Sequence, residues 1–270
     1  MGIIGVISRS LREMLWPRRF LPFFLLYLIF SLSLLIFLLP ILSRIPSFYT
    51  SPSSVDVQIF YANLAGIAIA LIATVLVNIW FSGALIWDIK SKKGFEKCLK
   101  YSKKVYLQMF ALCLVICILV LLTFFLKSFS IIFQILIDWI FIFALPAVVI
   151  KKDSFDFALA RSFNLVKKKV FSTFSFWVLT RFIIFVIFLF SLFISTAILL
   201  PIFSELRFVI SSTAQAFQSY EVTRAISLIL QNYHLLVIEA IVASFFISIM
   251  YAFNLISKTY YFLEISKKAR

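Results

Sequence analysis

The sequence predicts an all-α, polytopic membrane helical bundle with six transmembrane helices. Three observations predict this class: 63% of the 270 residues are hydrophobic, only 14% are charged, and the apolar residues fall into six long runs. Ordinary soluble domains carry about 25% charged and about 45–50% apolar residues. Five glycines and seven prolines also exclude collagen-like and low-complexity chains. Residues 1–270 are therefore expected to form a single integral membrane domain.

Each apolar run is long enough to cross a bilayer as a helix. Crossing about 30 Å of hydrocarbon takes about 20 helical residues. The runs are continuously apolar and do not alternate, which excludes β-barrel strands. We expect the first run to be retained, because it is too long for a signal peptide and lacks a small-residue cleavage site. The predicted spans are 20–42, 59–87, 105–126, 129–150, 171–203 and 233–256.

The connections between the spans differ in charge. Of the 26 Lys and Arg residues, 21 fall on one side of the predicted bundle and four on the other, and Arg181 lies within a span. Because cytoplasmic loops are enriched in Lys and Arg, both termini are expected in the cytoplasm. The expected location is a prokaryotic plasma (inner) membrane. The net charge of +15 then reflects the membrane surface, and we expect no nucleic-acid partner.

The connections on the opposite side differ in length. The loop 43–58 is rich in Ser and Pro and predicts an irregular excursion. The turn at 127–130 is so short that spans three and four are expected to form a tight helical hairpin. The stretch 204–232 has apolar residues at helical spacing, which predicts at least one helix that lies on the outer membrane face or caps the bundle.

The two central cytoplasmic loops resemble each other, which indicates an internal repeat. Residues 95–102 read FEKCLKYS and residues 155–162 read FDFALARS, so that Phe, an acid, a small residue, Leu and Ser recur at matching places. Both copies show the apolar spacing of an amphipathic helix, with Asp153 or Ser154 as the N-cap of the second. Residues 3–15 predict a third such helix, with Glu13 on its polar face.

Amphipathic helices of this kind lie along a membrane, with an apolar stripe among acyl chains and cations towards the headgroups. Lysines near an anionic leaflet contribute about 1 kcal/mol each. The expected partners are the lipid bilayer and its anionic headgroups on the cytoplasmic leaflet, with another membrane protein as a further candidate. The alternative is that these helices only join spans and anchor the bundle. The candidate headgroup-facing residues are Lys92, Lys93, Lys97, Lys103, Lys104, Lys167, Lys168 and Lys169.

One part of the chain resembles a known family. Residues 143–150 (FALPAVVI), the stretch ending in residues 158–162 (ALARS) and the basic entry into the fifth span resemble the polytopic membrane domain attached to some glycerophosphodiester phosphodiesterases. The resemblance covers about residues 135–200. It implies a helical membrane domain with a lipid-related or accessory role. It implies no phosphodiesterase activity, because the chain lacks a soluble segment large enough for that domain.

Polar residues within the spans form a second set of candidates, because a charge at the bilayer centre costs about 2.5–3.5 kcal/mol on insertion scales. Asp138 and Arg181 both fall near the middle of their spans, and we predict that they pair. The alternative is a substrate or proton site at the same depth. Glu239, beside His234 near the outer end of span six, is expected to be partly solvated. Asn78 is expected to form an interhelical hydrogen bond.

Span two carries small and polar residues at every fourth position, which predicts close helix packing within the chain in preference to a dimer interface. The row in span two consists of Ala62, Gly66, Ala70, Thr74, Asn78 and Ser82.

The three cysteines do not occur in a metal-ligand pattern with other residues and are expected to be reduced thiols.

The sequence contains no Gly-rich phosphate loop, no HExxH and no GxSxG motif. We therefore predict no catalytic residue, no metal site and no cofactor, and we do not expect an enzyme. The favoured function is a non-enzymatic accessory, scaffolding or lipid-interacting membrane protein. The alternatives are a permease or transport subunit with a polar midplane site, and a membrane-embedded lipid-modifying enzyme. Pro146 and Pro201 fall near span ends, which argues against the broken helices of a transporter.

Overall fold

The computed structural model describes residues 2–50, 53–211 and 219–267, and in these residues the fold is all-α, with no strand. A 3-10 helix (Phe124–Phe129) joins the fourth and fifth α-helices. The α-helices of the described residues are α1 (Ile3–Met14), α2 (Pro17–Thr50), α3 (Ser54–Ser91), α4 (Phe95–Thr123), α5 (Ser130–Ile140), α6 (Ala144–Lys151), α7 (Phe155–Lys168), α8 (Val170–Ser211), α9 (Ser219–Gln231) and α10 (Tyr233–Lys267).

Among the described residues, six helical segments are long and apolar enough to cross a membrane, which confirms the predicted number. Most of them extend beyond the predicted spans. The 35 residues of α10 are about 52 Å long at 1.5 Å per residue, compared with about 30 Å of hydrocarbon. The six segments are Pro17–Ile45, Ser54–Ser91, Phe95–Lys127, Ser130–Lys151, Val170–Ser204 and Tyr233–Lys267.

The described chain divides into two compact units. The first consists of Met1–Phe23, Leu76–Val186 and Ser248–Arg270, and the second of Phe24–Val75 and Ile187–Ile247. The first unit contains the duplicated loops and most of the predicted polar candidates. Its largest fully buried side chains are mainly aromatic and long aliphatic residues: Phe23, Leu85, Ile86, Met109, Leu112, Phe143, Phe176, Phe253, Ile256 and Phe262.

In the second unit, the small-residue row of α3 packs against α2 at Gly66. A Cβ at this position would lie 2.6 Å from the ring of Phe37, so only glycine allows the approach. The prediction of packing within the chain is thus confirmed for this part of the row. The hydroxyls of Ser31 and Ser244 lie 3.0 Å apart in the same unit and join α2 to α10.

The predicted irregular loop 43–58 is wrong, because α2 continues to Thr50 and α3 begins at Ser54. A reciprocal capping box starts α3. The Ser53 N–H donates to the Asp56 carboxylate and the Asp56 N–H donates to the Ser53 hydroxyl, both at 3.2 Å. Arg44 also donates to Asp56, at 2.9 Å. The S-x-x-D pattern at 53–56 is the helix-start signal that the Ser and Pro content of this segment obscures.

The predicted tight turn at 127–130 and the predicted helix in 204–232 are both confirmed at the level of secondary structure. The 3-10 helix with Lys127 at φ 46° makes the tight turn between α4 and α5. Across this hairpin, Gln134 donates to the hydroxyl of Thr123 at 3.2 Å. Helix α9 is the helix expected in 204–232, although residues 212–218 lie outside the described part of the chain.

The fourth span is broken, which sequence analysis does not predict. Helix α5 ends at Ile140 and α6 begins at Ala144. Pro146 explains the interruption, because its ring clashes with the carbonyl four residues earlier and it has no N–H to donate. Ser162 satisfies both sides of the break: its hydroxyl donates to the Ile140 carbonyl at 2.8 Å and accepts from the Phe143 N–H at 3.1 Å. The expectation from the sequence that Pro146 lies too near a span end to break the helix is therefore wrong.

The internal repeat is present in the first unit and extends beyond the sequence motif. We call residues 92–102 elbow 1 and residues 152–162 elbow 2. The first residues, Lys92 and Lys152, have left-handed backbone conformations, with φ 56° and 62°. The last residues are equivalent too, because Ser102 donates to the carbonyl of Trp80 at 2.7 Å and Ser162 donates to that of Ile140. Each bond spans 22 residues, so the equivalence covers the preceding helix as well.

The two elbows differ in how they continue. Elbow 1 leads into α4 without interruption, so it is not a separate helix lying on the membrane as expected. Elbow 2 leads into α7, which ends at Lys168, and α8 starts at Val170. Of the two predicted N-cap candidates, Asp153 and Ser154, the structure has Ser154 as the N-cap residue of α7. The first N–H of α7, that of Phe155, donates to the side chain of Gln108 on α4 at 3.1 Å.

Candidate functional site

The predicted pair of Asp138 and Arg181 is present in the first unit. The guanidinium donates from Nε to Oδ2 of Asp138 at 3.0 Å, and Nη2 donates to the same oxygen. Trp177, one turn before Arg181 on α8, donates its indole N–H to that oxygen at 2.6 Å. Asp138 lies two residues before the end of α5, next to the break in the fourth span. The ion pair therefore joins α5 to α8 beside an interrupted helix.

A second cation, Lys258 on α10, completes what we call the Asp138 cluster (Asp138, Trp177, Arg181 and Lys258). Its Nζ lies 3.6 Å from Oδ1 of Asp138, and its side chain is 15% exposed. The predicted sixth span ends at residue 256 and so leaves Lys258 in the cytoplasmic tail that follows. This boundary is wrong, because α10 continues to Lys267. The signal that the sixth span continues is the apolar segment that follows Lys258, beginning with Tyr260, Tyr261 and Phe262.

Aromatic side chains border the Asp138 cluster on the side of α5 and α8. The ring of Trp139 packs edge-to-face on Phe174 at 5.4 Å, and Phe174 stacks on Trp177 at 6.1 Å. The indole N–H of Trp139 is buried and has no hydrogen-bond partner among the described residues. These rings pack around Trp177, which contacts Asp138, while the side chains of Asp138 and Arg181 remain 33% and 37% exposed.

The other intramembrane candidates are not part of this cluster. Asn78 on α3 lies beside the Tyr251 hydroxyl, which is 2.9 Å from Ser82, but its Oδ1 has no hydrogen-bond partner in the described ranges. Glu239 belongs to the second unit and is half-buried. Its Oε2 is buried without a partner among the described residues. The prediction that Glu239 is partly solvated is therefore wrong for this oxygen. His234 is exposed.

A second ionic cluster, which sequence analysis does not predict, lies where α1 meets α2, α3 and α10. Glu13 accepts from Arg9 at 2.8 Å and also from Arg19 and Tyr260. Arg19 in turn donates to Asp88 at 3.2 Å, and the side chains of Arg19 and Asp88 are 3% and 1% exposed. We call these five residues the Glu13 network. Its two acids and two cations balance.

The position of Glu13 corrects its assignment to a polar face of α1. The buried residues of α1 are Val6, Ile7, Ser10 and Glu13, while Ile4 is 79% exposed. Burial alone raises the pKa of Glu13, but the hydrogen bonds from Tyr260, Arg9 and Arg19 outweigh burial and hold the pKa below its ordinary value. The carboxylate is therefore ionised at neutral pH and fixes α1 to the first unit.

Five of the predicted headgroup-facing lysines lie on or beside elbow 1, and the other three lie at or just after the end of α7. All except Lys169 are exposed. None of them forms an ion pair within the described residues. A groove of about 370 Å³ next to elbow 1 is lined by Trp80, Lys103, Tyr106 and two aliphatic residues of α3. A groove of about 340 Å³ along α7 is lined by Phe157, Ala160, Arg161, Asn164, Leu165 and Lys168.

In the elbow 1 groove, the polar groups other than Lys103 are satisfied within the protein. The indole N–H of Trp80 donates to the Leu99 carbonyl at 3.0 Å, and the Tyr106 hydroxyl donates to the Leu76 carbonyl at 3.1 Å. In the α7 groove, Arg161 is engaged by Asp153 at 2.5 Å. Each groove therefore combines apolar side chains with one lysine that has no acidic partner among the described residues.

Comparison of the chain with protein-family models, with curated proteins and with solved structures gave no match. The resemblance to the membrane domain of glycerophosphodiester phosphodiesterases therefore stays a prediction from the sequence. Within the described ranges, no three His, Cys, Asp or Glu side chains lie close enough together to hold a metal ion. The chemistry that the first unit offers is ionic and amphiphilic: a largely buried Glu13 network, a partly exposed Asp138 cluster and two grooves with lysines.

Proposed function

We propose that this protein is a non-enzymatic integral membrane protein that binds anionic lipids through its duplicated elbows. The observation that carries the proposal is a groove next to elbow 1 and another along α7, each combining apolar side chains with a lysine. These lysines, Lys103 and Lys168, have no acidic partner among the described residues. Acyl chains match the apolar lining, and a phosphate headgroup matches the ammonium. The family resemblance supports a lipid-related role.

The proposal includes the topology expected from the sequence, with both elbows and both termini on the cytoplasmic side of a prokaryotic inner membrane. With Lys258 placed in the sixth span, 20 basic residues lie on one side and four on the other, and this separation supports the orientation. Exposed Phe157 and Phe163 on α7, at 67% and 47%, support contact with acyl chains next to the elbow lysines. Scaffolding for another membrane protein is compatible with the same surface.

Lipid binding by purified full-length protein tests the proposal. Native mass spectrometry in mixed micelles would compare phosphatidylglycerol with phosphatidylcholine. The double variant Lys103→Gln/Lys168→Gln is expected to lose bound phosphatidylglycerol, because two lysines near anionic headgroups contribute about 2 kcal/mol together. Phosphatidylcholine binding should change little.

Lys127→Gln is the matched control, because Lys127 is an exposed lysine in the turn between α4 and α5, away from both elbows. This variant should bind phosphatidylglycerol like the wild type. Equal phosphatidylglycerol binding by all three proteins would contradict the proposal.

The broken fourth span favours a transport subunit as a second candidate function. Transporters place substrate sites at discontinuous helices near the bilayer midplane, and Asp138 lies next to such a break. Cysteine substitution at 138 and 181, followed by labelling with a membrane-impermeant maleimide, tests this candidate. Labelling at these positions supports a water-reachable pathway, and protection of both argues for the lipid-binding function alone.

A further inference from the structure

We propose that the Asp138 cluster is a binding site for a phosphate-type anion, held between Arg181 and Lys258 within the membrane-spanning part of the protein. This site is separate from the elbow grooves and goes beyond both candidate functions above. Its occupant is the phosphodiester of a lipid or a free phosphate, because these share the same chemistry.

Charge balance is the first argument. The cluster contains two cations and one carboxylate, a surplus of one positive charge. No other acid in the described part of the chain forms an ion pair with Arg181 or Lys258. A buried charge without a partner is costly, and in a membrane such residues mark ligand and ion sites. One bound anion would neutralise the cluster.

Unused hydrogen-bond donors are the second argument. Arg181 directs Nε and Nη2 to one oxygen of Asp138, which leaves Nη1 without an acceptor among the described residues. The Nζ of Lys258 is 3.6 Å from the other oxygen, which is longer than a normal hydrogen bond. An ammonium has three N–H donors, so most of the hydrogen-bonding capacity of Lys258 is unused. A tetrahedral phosphate group accepts from both cations.

The surroundings of the two cations are the third argument. The side chains of Arg181 and Asp138 are 37% and 33% exposed, so the cluster is open on at least one side. A ligand can therefore reach the two cations without displacing the surrounding side chains.

Anion-dependent stability tests the site. The full-length protein in a neutral detergent would be melted in potassium gluconate at constant ionic strength, with increasing inorganic phosphate in one arm and increasing phosphatidylglycerol in the other. We expect a dose-dependent rise in Tm, since a ligand that binds only the folded state stabilises it. Both arms are repeated with Lys103→Gln/Lys168→Gln, because the elbow grooves are proposed to bind phosphatidylglycerol too. In that variant, a rise with phosphate alone identifies a free anion, a rise with phosphatidylglycerol alone identifies a lipid headgroup, and a rise with both identifies the shared group. No rise in either arm overturns the proposal.

Lys258→Gln is the decisive variant. It should weaken anion binding at least about tenfold, as expected for loss of a charged hydrogen bond, without lowering Tm in gluconate. Asp138→Asn should respond to the anion more strongly than the wild type, because its surplus is two charges. An unchanged anion response in Lys258→Gln, or failure of that variant to fold, overturns the proposal.

Lys103→Gln/Lys168→Gln separates this site from the elbows. Its anion-dependent Tm rise should equal that of the wild type with inorganic phosphate, even if its binding of phosphatidylglycerol is lower. If the elbow variant and not Lys258→Gln loses the phosphate response, the elbows are the anion sites and the Asp138 cluster is not.

Discussion

The Glu13 network and the Asp138 cluster are both ionic and both join several helices of the first unit, but they differ in charge balance. In the Glu13 network, two carboxylates face two guanidiniums and a tyrosine hydroxyl, and both oxygens of Glu13 are used. In the Asp138 cluster, one carboxylate faces two cations. Balanced buried charges need no further partner, whereas a surplus charge does. The difference separates a structural network from a candidate binding site.

The largest effect is expected from breaking the balanced network. Arg19→Gln leaves Glu13 and Asp88 buried with fewer partners, and removal of one member of a buried pair costs about 3–5 kcal/mol. Denaturation of the purified protein in mixed dodecyl maltoside and SDS micelles would measure the loss. Arg18→Gln is a matched control, because Arg18 is exposed and forms no ion pair among the described residues. A loss below about 1 kcal/mol, typical of surface pairs, would contradict the structural role.

The pair within the Asp138 cluster should show coupling in a double-mutant cycle. Asp138→Asn destabilises the protein, because it leaves two cations without a carboxylate. Asp138→Asn/Arg181→Gln should recover part of that loss, with a coupling free energy of about 0.5–3 kcal/mol. The same denaturation measurement applies. Strictly additive losses would show that Asp138 and Arg181 act independently, and the ion pair would then not hold α5 against α8.

Replacing the last serine of each elbow is expected to cause a smaller loss of stability, which differs between the two elbows. Ser162→Ala removes one donated and one accepted bond and leaves the Phe143 N–H unsatisfied, so we expect a loss of about 1–3 kcal/mol. Ser102→Ala removes only its bond to Trp80 and should cost about 1 kcal/mol. Ser102 and Ser162 occupy equivalent positions of the repeat, so each variant is a control for the other. If Ser102→Ala costs as much as Ser162→Ala, the serine at the helix break has no special role.

The dependence of stability on pH should come in part from Glu13. Its pKa is lowered in the folded state, so its contribution is fully present above the ordinary glutamate pKa of about 4.3. That contribution is lost as pH falls through the lowered folded pKa. Melting curves from neutral to acid pH should therefore show a smaller stability loss for Glu13→Gln than for the wild type. Parallel curves for the two proteins would contradict this contribution.

The sequence predicts much of the fold because each span carries its own signal. Six apolar runs are sufficient to predict six spans, and two central charges in consecutive spans are sufficient to predict that Asp138 and Arg181 pair. The repeat is also readable, since the same residue types recur 60 positions apart. These features depend on local composition or on one simple rule about buried charge.

The remaining features depend on contacts between distant parts of the chain. Glu13 is turned inwards because Tyr260, 247 residues later, packs beside α1 and donates to it. Lys258 belongs to the Asp138 cluster because α10 extends past the point where its hydropathy falls. The break before Pro146 is stable because Ser162 satisfies its free backbone groups. None of these partners can be assigned from periodicity alone.

The central claim is that the Asp138 cluster carries a surplus charge that the fold does not need. The most direct measurement is the free energy of unfolding of Lys258→Gln in gluconate buffer, without phosphate or anionic lipid, beside Arg19→Gln. The expected result is that Lys258→Gln is as stable as the wild type or more stable, while Arg19→Gln is strongly destabilised. A loss in Lys258→Gln as large as that in Arg19→Gln would contradict the account.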